Sequence, residues 1–159
     1  MKNIFLIIIL ILTSSCGYKP IFEKKTFDMI EFKKIESEGD EYSNKKILSA
    51  IPFKENKNLY AQDELYLKSY YSIIETSKNT KGQVISYSSK FQLVITIKRD
   101  NKIIINKSFI ADFDYENKDN QFDLIEYQLN VKNNLIDNVI EKLIIFTDLN
   151  IIELFINKN

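Results

Sequence analysis

The sequence has no histidine, no tryptophan, one cysteine (Cys16), one arginine (Arg99), three glycines and two prolines. Each shortage removes a class of function. Without histidine, imidazole acid–base chemistry and the usual zinc sites are excluded. A single cysteine rules out an internal disulfide, and 159 residues suffice to bury one core without that staple. With three glycines there is no glycine-rich loop to cradle a phosphate. An excess of charge is missing too, because 22 Lys plus Arg balance 22 Asp plus Glu. Binding to nucleic acid by counterion displacement needs a basic excess that this chain lacks, so no nucleic-acid partner is expected. The length suits one domain, and no internal repeat is visible.

What is present begins at the N-terminus. Lys2 precedes the unbroken apolar run Ile4–Leu12, and small residues follow at Thr13, Ser14 and Ser15. Positive charge, a short apolar core and small residues are the layout of a secretory signal. The run is about half of the ~20 apolar residues that a spanning helix needs. Leu12-Thr13-Ser14-Ser15-Cys16 resembles a bacterial lipobox, with Leu12 four residues before the cysteine where the usual pattern has leucine three before. The expected organisation is a lipoprotein signal peptide over 1–15, a lipidated tether over 16–26 and a single α+β domain over 27–159. Removing 1–15 takes away only Lys2 and leaves the remainder near −1. The Cys16 thiolate is the nucleophile that would accept a diacylglyceryl group. Cleavage then frees an amine for a third chain, and two or more chains anchor stably at ~0.8 kcal/mol per buried CH₂. The bland alternative is a plain signal beside an incidental thiol. Gly17 occupies the position where aspartate favours inner-membrane retention in Gram-negative lipoproteins. That resemblance implies the periplasmic side of the outer membrane.

Periodicity sets the rest. Apolar residues at Phe27, Met29, Ile30, Phe32 and Ile35 suggest a strand, and Gly39 among charges suggests a turn over Glu36–Ser43. Asn44 is a candidate cap for a short helix ending before Pro52. Lys54–Asn58 reads as polar loop. Asp63–Thr76 is ambiguous, with strand favoured from Lys68 onward. The clearest strand is Lys90–Lys98, where Phe91, Leu93, Ile95 and Ile97 alternate with mostly polar residues. Arg99-Asp100-Asn101-Lys102 is a hairpin turn leading into a strand over Ile103–Tyr115. Asn120 can cap a long helix with Leu124, Leu135, Val139 and Leu143 at helical spacing, reaching at least Ile145. The tail from Phe146 to Phe155 is apolar enough to pack or to prolong the helix. The expected fold class is α+β: a mostly antiparallel or mixed four-stranded sheet, with a short helix and a long C-terminal helix packed on one face.

No residue pattern supports catalysis, and no cofactor or metal is expected. Asp112 and Asp114 share a strand face and could in principle meet a cation, but charge patterning favours a solvated face. Lys98, Arg99 and Lys102 gather at the hairpin tip, where a phosphate-bearing ligand could be met bidentately. Exposed solubilising charge is the alternative reading of the same residues.

The opening Cys16-Gly17-Tyr18-Lys19-Pro20 resembles that of alphaproteobacterial LPS-assembly lipoproteins of the LptE family. Similar features follow in order: a strand, the amphipathic segment Asn44–Ile51, the strand ending Ser88-Ser89-Lys90-Phe91-Gln92-Leu93, and the following hairpin strand. Phe113-Asp114-Tyr115 then runs into an Asn-rich turn and the long helix. The resemblance implies a lipoprotein that sits inside the LptD β-barrel as a plug, helps it fold and contacts lipopolysaccharide. Two other roles stay open at this point: scaffolding a different envelope machine (barrel assembly or peptidoglycan attachment), and a tethered hydrolase.

Overall fold

The computed structural model describes residues 30–57 and 62–148. Cys16, the signal segment, the tether and the tail beyond Asp148 lie outside the described residues. The elements are β1 (Ile30–Phe32), β2 (Lys34–Gly39), α1 (Glu41–Ala50), β3 (Phe53–Glu55), β4 (Asp63–Lys78), β5 (Val84–Arg99), β6 (Lys102–Glu116) and α2 (Gln121–Phe146). The main sheet has the order β2-β4-β5-β6, with β2 parallel to β4 and the other pairs antiparallel. The expected α+β class is correct, and the sheet is of the mixed kind.

The alternation on β5 explains the layering. Phe91, Leu93, Ile95 and Ile97 are fully buried, while their even-numbered neighbours face away. On β4 the same face carries Leu65 and Leu67, and on β6 it carries Phe109 and Ala111. Against this surface α2 lays Val131, Leu135, Ile136, Val139, Ile140 and Leu143. Burying each such aliphatic side chain contributes about 1.5–3 kcal/mol relative to leaving it exposed. Ile47 of α1 and Phe32 of β1 complete the same core. Phe53 meets Phe32 edge-on, with ring centroids 5.3 Å apart.

Four local expectations need correction. The strand over Phe27–Ile35 is, within its described part, two strands, broken at Lys33. The turn over Glu36–Ser43 is instead the end of β2 and the start of α1, with parallel pairing from Lys34↔Glu64 to Gly39↔Ser69. That pairing gives a charged segment its backbone partners and leaves Lys34, Glu36 and Glu38 in ion pairs. Asn44 is therefore not the cap. Asp40 caps α1 by accepting from the Ser43 N–H at 2.8 Å, and Asn44 lies buried inside the helix, its Nδ2 donating to the Glu38 carbonyl. Lys54–Asn58 is not all loop, since β3 pairs in parallel with β1.

The ambiguous segment resolves as one long strand from Asp63. The Asp100-Asn101 turn has both residues at positive φ, +49° and +63°, the two-residue hairpin geometry that matches strand twist. Asn120 caps α2 as expected, accepting from the Phe122 N–H at 2.9 Å.

Candidate functional site

The four-stranded sheet has one face under helices and one without such cover among the described residues. The open face is built by the even-numbered positions of β4, β5 and β6. It presents Tyr66, Lys68 and Tyr70, then Lys90, Gln92 and Thr96, then Ser108, Asp112 and Asp114. Both signs of charge are interspersed, and several of the groups bond to one another or to neighbouring residues. Tyr66 donates to Glu64 at 2.7 Å, Lys68 pairs with Glu38 at 2.9 Å, and Gln92 donates to Ser108 at 2.9 Å. Asp112 faces Lys90 across the register, and Asp114 faces Ser88. Among the described residues no group of three or more Cys, Asp or Glu is placed to hold a metal ion.

The hairpin tip treats its three cations differently. Arg99 and Lys102 are cross-strand partners, but Lys98 turns to the open face, its ammonium 4.4 Å from the centre of the Tyr66 ring. Arg99 is engaged already. Its Nε and Nη2 donate to the two Asp63 oxygens at 2.6 and 2.9 Å, and Asp63 is only 1 % exposed. The hydrogen bond to Asp63 holds the guanidinium proton even more tightly than usual. A phosphate can take both arms of this fork only by displacing Asp63, whereas Lys102 is exposed.

Two polar groupings were not legible in the sequence. In the first, Asp40 joins three elements. It caps α1, its Oδ2 accepts from Lys132 Nζ of α2 at 2.8 Å, and its own N–H donates to Ser69 Oγ of β4 at 3.0 Å. Burial pushes the Asp40 carboxyl up, but hydrogen bonds from Lys132 and Ser43 outweigh it and hold the group below the usual carboxylate range. In the second, Tyr71, Ser89 and Tyr115 share a chain of hydroxyl contacts at 3.3 and 3.1 Å beneath α2. Burial raises the Tyr71 phenol above its ordinary value. Tyr87 stacks on Tyr115, and Tyr127 meets Tyr115 edge-on. Both groupings tie helices to sheet and expose no nucleophile paired with a base.

No family model and no curated protein matches the chain. Solved structures do. The rare lipoprotein B from Shewanella oneidensis superposes with a TM-score of 0.52 at 16% identity, over 77% of this chain and 98% of that one. An uncharacterized lipoprotein B from Nitrosomonas europaea gives 0.52 at 10% identity, over 71% and 81%. The chain has the fold of these bacterial lipoproteins. The share of the first neighbour that is covered makes the likeness one of whole domains. Among the described residues no helix is long and apolar enough to cross a membrane.

Proposed function

We propose that this chain is an envelope lipoprotein, held by acyl chains on Cys16 at the periplasmic side of the outer membrane, that plugs and assists assembly of an LptD-like β-barrel in lipopolysaccharide transport. The observation that carries this reading is the conjunction of the Cys16-Gly17-Tyr18-Lys19-Pro20 opening with a fold shared by two solved bacterial lipoproteins. The open sheet face supports it. A barrel lumen is polar, and a plug inside one needs a polar surface of mixed charge, which Tyr66, Lys68 and Gln92, bonded within the sheet, and Asp112, across from Lys90, supply. Lipopolysaccharide phosphates would meet Lys98 and Lys102 at the β5–β6 tip, with Arg99 joining only on release from Asp63.

The test is mild crosslinking in intact cells, with mass spectrometry of the partner and of the N-terminal peptide. The reading expects one large outer-membrane barrel as the main adduct and an acylated Cys16. It also expects a Cys16→Ser chain to lose the membrane fraction and the adduct. Recovery with peptidoglycan or with barrel-assembly components, or an unprocessed N-terminus, refutes it.

A further inference from the structure

The sheet ends in a long open edge on one side. Strand β6 pairs with β5 alone, and no strand lies on its other side among the described residues. Antiparallel pairs alternate between bonded and non-bonded positions. Lys142 Nζ donates to the Ile110 carbonyl at 2.7 Å, so that carbonyl points away from β5. The same parity turns the backbone groups of Ser108, Asp112 and Asp114 to the open edge.

Above this edge runs a cleft of about 450 Å³, with Ala111 and Phe113 on one wall and Asn130, Asn134, Asn138 and Lys142 on the other. These four α2 residues are spaced four apart and are exposed. The three amides have no hydrogen-bond partner among the described residues. Their repeat along the helix is ~6 Å. Alternate residues of an extended chain repeat at ~6.8 Å. Over three positions the two ladders stay within about 2 Å of register. The opposite flank of β6 carries Asp112, Asp114 and Glu116, and the last two face only serines, Ser88 and Ser86, across the sheet.

The geometry points to strand addition: β6 takes one extended segment of a partner protein as a fifth strand. This segment alternates basic residues, set against Asp112, Asp114 and Glu116, with amide or hydroxyl residues lying under the asparagine row. Main-chain bonds to the edge give affinity, and the alternate side chains give specificity. Lys142 marks the place of an incoming N–H, and its ammonium must swing off the Ile110 carbonyl to admit the strand. A second copy of this chain fits poorly, because its own β6 would set Phe109, Phe113 and Tyr115 beneath the asparagines. The inference is independent of which barrel, if any, the lipoprotein serves.

The experiment uses the full chain in detergent with two synthetic peptides of equal composition. One alternates Lys with Thr and Asn over about ten residues, and the other blocks its lysines at one end. The alternating peptide is expected to slow amide hydrogen exchange at Ser108, Ile110 and Asp112 about tenfold, and the blocked one is not. Replacing Asn130, Asn134 and Asn138 with Ala, which favours the helix, should weaken binding about tenfold with unchanged circular dichroism. Ile110→Pro removes an edge-facing N–H while sparing the β5 ladder, and should do the same. Equal binding of both peptides, protection away from β6, or a concentration-dependent dimer that protects the same amides would overturn the proposal.

Discussion

Removing the charge at Asp40 tests whether one side chain ties the start of α1 to α2. Asp40→Asn keeps the cap, because asparagine serves at that position about as well as aspartate. What it removes is the charge-assisted bond to Lys132. The two side chains are 30% and 19% exposed, so the pair is neither a free surface bridge nor fully buried. Surface pairs contribute about 0–1 kcal/mol, and breaking buried ones costs about 3–5. With this partial cover, a cost of about 1–2 kcal/mol is expected for Asp40→Asn. Asp40→Ala also loses the cap to the Ser43 N–H and should cost about 2–3 kcal/mol.

The cleanest readout is a double-mutant cycle of Asp40→Asn with Lys132→Met in urea, followed by far-UV circular dichroism. Methionine keeps an apolar stem near the Tyr71 and Tyr42 rings, where the Lys132 ammonium now sits 5.2 and 6.0 Å from the ring centres. A coupling energy of about 1 kcal/mol is expected. The pH dependence gives a second handle. The folded carboxyl titrates below its unfolded value, so its contribution is fully present above about pH 4 and is lost as pH falls further. The Asp40→Asn chain should therefore lose less stability than the parent between about pH 4 and pH 2. A coupling below about 0.3 kcal/mol together with parallel pH curves would refute the tie between α1 and α2 through Asp40 and Lys132.

Gly39 has φ +101°, and a Cβ built there would lie 2.0 Å from the Ser69 carbonyl oxygen. Gly39→Ala should therefore cost about 3 kcal/mol or more in urea unfolding, and a loss under about 1 would contradict the close approach. Arg99→Lys keeps the charge but not the two-armed contact to Asp63. A loss of about 1–2 kcal/mol is expected, measured by thermal melting, whereas an unchanged melting temperature would mean that Asp63 is held by its other neighbours. Ile136→Ala empties a fully buried site between α2 and the sheet and should cost about 2–5 kcal/mol by chemical denaturation.

The parts of the fold legible in the sequence are those governed by local period. Phe91, Leu93, Ile95 and Ile97 alternate so regularly that the Lys90–Lys98 part of β5 (Val84–Arg99) and its buried face follow directly, and the Asp100-Asn101 turn follows from residues that tolerate positive φ. The misread parts are those where a partner distant in sequence decides. Lys34–Gly39 has the composition of a loop, and it is a strand only because β4 offers parallel partners across an intervening helix. Asn44 and Asp40 are both good caps in isolation. Asp40 takes the role because the edge of β2 stops at Gly39, where the chain passes too close to Ser69 for any larger residue. The same reasoning separates the cations at the hairpin tip. Lys98, Arg99 and Lys102 look equivalent as charges, yet pleat parity sends Lys98 to the open face and Arg99 toward the buried Asp63. The asparagine row at 130, 134 and 138 stands in plain view at helical spacing. Its meaning depends on the neighbour it overhangs, an edge of β6 that only the sheet order discloses. Which backbone edges and faces the topology leaves unpaired is a property that no single residue encodes.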